Sequence, residues 1–257
     1  MNLPKDKRST VGLLLFGAAM VFLGVEPVVT GHLPRALVPL SPGAMLPWAA
    51  RGIGFLLIAT AMAALLKPAS LAPYLLAAFP LLAVLTVNGP KLLASPRDPS
   101  PWTTTFELIA LAAGAVLLVK PRIGRLMLAA SLPVFGIQHL MYGTFVATLV
   151  PDWIPARLFW AYAVGVAFLA ASLSLLLNKA TRLTGTLLGI MFMSWVLVLH
   201  IPRVIAASGN ALEWNSCLIA LAMSGVGLIV AGEGDRIPDI RKADGRLPRL
   251  QRDEIHP

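Results

Sequence analysis

Leu108-Ile109-Ala110-Leu111-Ala112 returns letter for letter as Leu218-Ile219-Ala220-Leu221-Ala222. The neighbouring sequence repeats more loosely. Phe16-Gly17 opens an apolar run that Phe135-Gly136 reopens. Gly89-Pro90-Lys91 closes one run much as Ile201-Pro202-Arg203 closes another. The apolar runs therefore read as two copies of one four-span unit. An even number of spans gives both copies the same orientation in a bilayer, related by an axis along the membrane normal. Sites tend to lie where such halves meet.

The composition names the solvent. Hydrophobic residues make up 57% of the chain and charged residues 13%, with a mean hydropathy of +0.78. Soluble domains carry about 25% charged residues. Helices need about 20 mostly apolar residues to cross a bilayer. Eight runs qualify, near 11–28, 48–66, 71–88, 103–119, 126–147, 158–178, 184–201 and 212–232. No run alternates polar and apolar residues with period two, which excludes a transmembrane barrel. The expected fold is an all-α membrane protein of eight transmembrane helices, arranged as two parallel four-helix repeats. The first repeat covers 11–119 and the second 120–232, flanked by a short N-terminus, 1–10, and a basic tail, 233–257.

Lysine and arginine set the orientation. Fifteen of them fall on the side that holds both termini and six on the other. The positive-inside bias then places both termini in the cytoplasm. The net charge of +9 is largely this topology signal. A basic tail beside anionic lipid accounts for the rest, and nucleic acid is not a required partner. The first span follows Lys5, Lys7 and Arg8, lacks a good cleavage site and reads as an uncleaved signal anchor. Cys217 is the only cysteine, so an internal disulfide and a CxxC redox pair are excluded.

Polar residues inside a membrane are costly, so each one needs an account. Here they gather toward the outer ends of the spans. Glu26, Arg51, Asn88 and Glu107 lie there in the first half, and His139, Tyr142, Tyr162, His200, Arg203 and Glu213 in the second. The inner half is almost wholly apolar, which speaks against a channel or proton pump. Glu26 and Glu107 could pair with Arg51 as a structural ion pair. His139 and Tyr142 share a helical face, and Gln138 points elsewhere. Pro202 denies a carbonyl near Val198 its partner, two residues after His200. The two histidines could be satisfied interior groups, part of a small-molecule site or paired axial ligands to a haem. Without a carboxylate on the same spans they give little reason to expect a metal site. Glu213 opens a helix at its positive end and suits a capping role. No catalytic constellation emerges.

The stretches Phe135-Gly136-Ile137-Gln138-His139, Phe145 through Pro155, Leu158-Phe159-Trp160-Ala161-Tyr162 and Leu197-Val198-Leu199-His200-Ile201-Pro202-Arg203 resemble the DoxX-like family of bacterial membrane proteins. Glu213-Trp214 extends the likeness, which covers about 124–232. The first half resembles the family only through the second. The resemblance implies a four-span bundle with a polar cluster at His139, Tyr162, His200, Arg203 and Glu213. It implies a place in the bacterial cytoplasmic membrane and a link to membrane redox complexes. Three functions are expected from these readings. The leading one is a non-catalytic accessory subunit, redox- or quinone-linked, whose partners are the lipid bilayer and other membrane-complex subunits. The second is a binder or transporter of a small lipophilic molecule, sited in the outer half of the second repeat. The third is an oxidoreductase in its own right.

Overall fold

The computed structural model describes residues 7–41 and 43–233. The basic tail beyond Glu233 and residues 1–6 lie outside that range. The described chain is helical, with no strand among the described residues. The helices are α1 (Lys7–Thr30), α2 (Pro47–Leu66), α3 (Ala72–Ala83), α4 (Gly89–Ala94), α5 (Pro99–Leu117) and α6 (Pro121–Met141). They continue as α7 (Gly143–Leu149), α8 (Arg157–Leu176), α9 (Thr181–Trp195), α10 (Ile201–Ala206) and α11 (Ala211–Glu233). Seven segments are long and apolar enough to cross a membrane: α1, α2, Ala72–Ala94, α6, α8, Thr181–Ala206 and α11. The fourth expected span forms a helix too, but α5 falls outside this set. Its Pro99-Ser100-Pro101 opening, three threonines and Glu107 dilute its hydropathy.

Local chemistry explains the element ends. Asp98 caps α5, its carboxylate accepting from the Ser100 N–H at 3.0 Å, with Pro99 at the first position where its missing N–H costs nothing. Gly31 ends α1 at φ +71°, a left-handed conformation that glycine adopts without a Cβ penalty.

Two prolines reshape their helices in the same way. Pro90 and Pro202 have no N–H, so the carbonyls of Thr86 and Val198 lose their usual partners. In both places the chain widens into a five-residue π-helical turn, Val84–Asn88 and Val196–His200. Gly89 N–H donates to Val84 O, and Ile201 N–H to Val196 O, each five residues back. Asn88 and His200 are the last residues of these turns.

The long helices form a closed ring in the order α1, α2, α3, α5, α6, α8, α9, α11, and then α1 again, with α5 against α11 across the middle. The first helix of each half of the chain packs on the last helix of the other half, α1 on α11 and α6 on α5. The two halves thus make one bundle. Lipid offers helices no hydrophobic drive to associate, so close packing of small residues holds such contacts together. At the α1–α11 crossing a Cβ on Gly12 would stand 2.6 Å from the Gly225 carbonyl oxygen. Gly185 and Gly189 of α9 meet Gly227, Ala231 and Leu228 of α11 in the same way, so this GxxxG pair serves internal packing. Phe16 fills the middle, against Gly114 of α5 and Val226 of α11. Outward-facing side chains such as Phe22, Phe55, Leu85, Val166 and Leu187 are apolar and exposed, as a lipid-facing surface requires.

Because α1 and α11 run antiparallel, Lys7 and Glu233 lie at one end of the bundle. The opposite end carries the 31–46 connection, which folds back over the first half. Its Leu33, Leu37 and Val38 are buried, Asn88 Nδ2 donates to Leu37 O at 2.8 Å, and Lys91 Nζ donates to Pro39 O. Trp102, Trp160 and Trp214 lie at this same end. Each indole N–H donates to a loop carbonyl, of Pro96, Pro155 and Ser208 respectively.

Candidate functional site: a cavity between the two halves

A cavity of about 730 Å³ opens near the loop-covered end, between α5, α6, α11 and the turn after α9. Its walls are mostly apolar, with Phe135, Phe168, Phe192, Trp195 and Met223 among them. Its polar groups are few: Ser100, Thr103, Thr104 and Glu107 from α5, Gln138, His139 and Tyr142 from the end of α6, His200 from the π-helical turn and Ser216 from α11. A concave, largely apolar space with a few convergent polar groups is the usual form of a small-molecule site.

His139 is held firmly. Its Nδ1 lies 2.8 Å from Phe135 O, and a carbonyl only accepts, so Nδ1 carries the proton. The ring stacks on Trp195 at 6.2 Å and 13° and meets Phe168 edge-on at 5.4 Å. Phe192 closes the cluster against both Phe168 and Trp195. Nε2 of His139 makes no hydrogen bond to any described residue and offers a lone pair in the neutral ring.

His200 owes its inward position to the π-helical turn. One extra residue in a helical turn rotates the next part of the helix by about 100°, and such turns recur at functional sites. Its Nδ1 is buried with no hydrogen-bond partner. Glu107 likewise has neither a hydrogen bond nor an ion pair with any described residue, although it lines the cavity. Gln138 is satisfied. It accepts from Thr103 Oγ1 at 2.8 Å and donates to Pro99 O at 2.9 Å, tying α6 to α5 at the rim.

Three of the expected ligand residues, His139, Tyr142 and His200, therefore come together here. The others lie elsewhere. Arg203 and Glu213 form a two-pronged ion pair, both contacts at 3.0 Å, outside the cavity lining. Tyr162 lies on α8 against Gly143, where a Cβ would stand 2.4 Å from its ring. No ion pair joins Arg51 to Glu26 or Glu107. Arg51 is exposed beside Gly31, Glu26 lies beside Asn215 of α11, and Glu107 faces the cavity. Arg51 and Glu26 sit on the neighbouring helices α2 and α1 without pairing, while α5, with Glu107, packs mainly on α3, α6 and α11. Gln138, expected to point elsewhere, lines the cavity with His139 because α6 is at its last turn. Trp195 is the one tryptophan away from the ends of the expected spans, a signal that could have found it. Among the described residues no three His, Cys, Asp or Glu side chains gather to hold a metal ion.

Residues 128–230 match the model of a family described as a domain of unknown function, DUF8561. The matched stretch holds His139, Tyr142, Trp195 and His200, whereas Glu107 and Thr103 come from outside it. No curated protein and no solved structure matches the chain.

Proposed function

We propose that this chain is a multi-pass membrane protein that binds a small lipophilic molecule between its two halves, with the molecule's polar head at Glu107, His139 and His200. One observation carries the reading: groups that must hydrogen-bond face a space large enough for a ligand and find no partner among the described residues. An unpaired buried polar group costs roughly 1–3 kcal/mol. His200 Nδ1 is such a group, and with the unpaired Glu107 carboxyl beside the same cavity it suits a ligand that satisfies both. The aromatic wall would take the apolar body of that ligand.

The membrane architecture belongs to the same proposal. Eight spans, with α5 as the fourth, form two repeats of one four-span unit of the DoxX-like kind, in the bacterial cytoplasmic membrane with both termini inside. The paired π-helical turns, the repeated Leu-Ile-Ala-Leu-Ala and the fifteen-to-six split of basic residues support it. A fourth span that is partly polar is tolerable, because α5 is shielded by α3, α6 and α11.

The test is extraction in mild detergent, then native mass spectrometry and analysis of co-purifying small molecules. The binding reading expects a stoichiometric small molecule that disappears in a His139→Ala, His200→Ala double variant of unchanged fold. A species carrying other polypeptides and no small molecule would favour the accessory-subunit reading and sink this one.

A further inference from the structure

The walls of the cavity are asymmetric in charge. Among the described residues no lysine or arginine lines it, and its one acidic side chain is Glu107. The nearest cation on the His200 side is Arg203, and its guanidinium is engaged by Glu213 on both prongs. The lining also includes the aromatic residues Phe135, Phe168, Phe192 and Trp195, and aromatic ring faces carry negative potential. His139 Nε2 adds a lone pair, because Phe135 O fixes the proton on Nδ1. A carboxyl and aromatic rings thus stand on these walls, and no described cationic side chain there would neutralise an anion.

We infer that the ligand is a lipophilic organic cation, an amine or onium compound, with its positive head between Glu107 and the aromatic cluster. This deepens the proposed function and rests on its reading of the cavity as a ligand site. A carboxylate with aromatic faces is the combination that stabilises organic cations. The carboxylate supplies the charge, and the rings attract the cation without competing for water. The same walls offer an anionic head no cationic side chain among the described residues, only neutral donors such as the Tyr142 and Ser216 hydroxyls. Glu107 also gains by it, since it has no partner among the described residues and a cation would provide one. The two halves of the chain contribute unequally: the carboxyl comes from α5, and most of the aromatic cage from α6, α8 and α9.

The experiment uses two ions of nearly equal size and opposite charge, tetraphenylphosphonium and tetraphenylborate. Equilibrium dialysis measures each against the full-length protein in detergent. The inference expects saturable binding of the phosphonium near one per chain, with the borate neither binding nor competing. Glu107→Gln should weaken the phosphonium by roughly tenfold or more, while Glu107→Asp, which keeps the charge, retains most of it. Size-exclusion profiles establish that both variants are folded. Equal binding of the two ions, or full affinity in Glu107→Gln, would overturn the cation assignment and leave the ligand site standing. Failure of both ions alongside a neutral molecule recovered from the extracted protein would do the same. Failure of both ions with nothing recovered would overturn the cation assignment and the ligand site together.

Discussion

Asn88 and His200 occupy the same place in two matching π-helical turns, and each leaves a buried polar atom unpaired, Oδ1 in one and Nδ1 in the other. Their surroundings differ. Asn88 Nδ2 reaches a carbonyl of the 31–46 connection, which covers the first half. His200 faces the open cavity. The chain's own loop occupies one position, and the other is left for something else.

That contrast separates two substitutions. Asn88→Ala removes a buried hydrogen bond and strands Leu37 O, so it should destabilise the protein by about 1–3 kcal/mol and leave the cavity's ligand in place. His200→Ala should abolish ligand retention at little cost in stability, because no hydrogen bond of Nδ1 is lost. Thermal unfolding in detergent, paired with ligand content, checks both. The reverse pattern would show that His200 is a structural group.

Pro202 should matter to binding although it lies outside the cavity lining. Pro202→Ala restores an N–H to Val198 O and lets the turn relax to an α-helix, which swings His200 about 100° off the cavity. The expected result is loss of ligand with helical content unchanged by circular dichroism. Retained ligand would mean that packing against α11, and not the proline, holds the π-helical turn.

The glycines divide by what surrounds them. A Cβ on Gly225 would stand 2.5 Å from the Phe16 backbone nitrogen, so Gly225→Ala must push α1 and α11 apart and should cost about 1–3 kcal/mol. Gly52 has nothing within 4 Å of that position, and Gly52→Ala should stabilise α2 by roughly 0.5–1 kcal/mol. Unfolding temperatures of the two variants should move in opposite directions.

Arg203 and Glu213 join α10 to α11 with side chains 41% and 17% exposed. A pair this open to its surroundings should show a modest coupling, on the order of 0.5–1 kcal/mol in a double-mutant cycle. Ligand content should be unaffected by Glu213→Gln. If ligand is lost with it, freed Arg203 charge is reaching the cavity.

Much of the architecture is legible in the sequence. Apolar runs mark the long helices to within a few residues. Pro202 points to a broken hydrogen bond beside His200, and the polar pattern picks out His139, Tyr142 and His200 but groups them with Tyr162, Arg203 and Glu213, which lie outside the cavity lining. Glu107 is misplaced into an ion pair with Arg51, because periodicity along a helix says which residues share its face and not which helix lies opposite. Only the helix packing places α5 beside α6 and against α11, and turns Glu107 toward residues far along the chain. The aromatic cage is hidden for a related reason. Phe168 and Phe192 look like ordinary lipid-facing or core residues until α8 and α9 are seen to converge on His139, and Trp195 stands out only by its mid-span position.

The exchange of first helices between the halves has a consequence for synthesis. The face of α1 at Gly12 is completed by Gly225, Leu228 and Ile229 of α11. At about 5–20 residues per second, roughly 10–40 s separate the emergence of these two residues from the ribosome. Through that interval α1 sits in the bilayer with its glycine face against lipid or insertion machinery, so the first helix made is among the last to be fully packed.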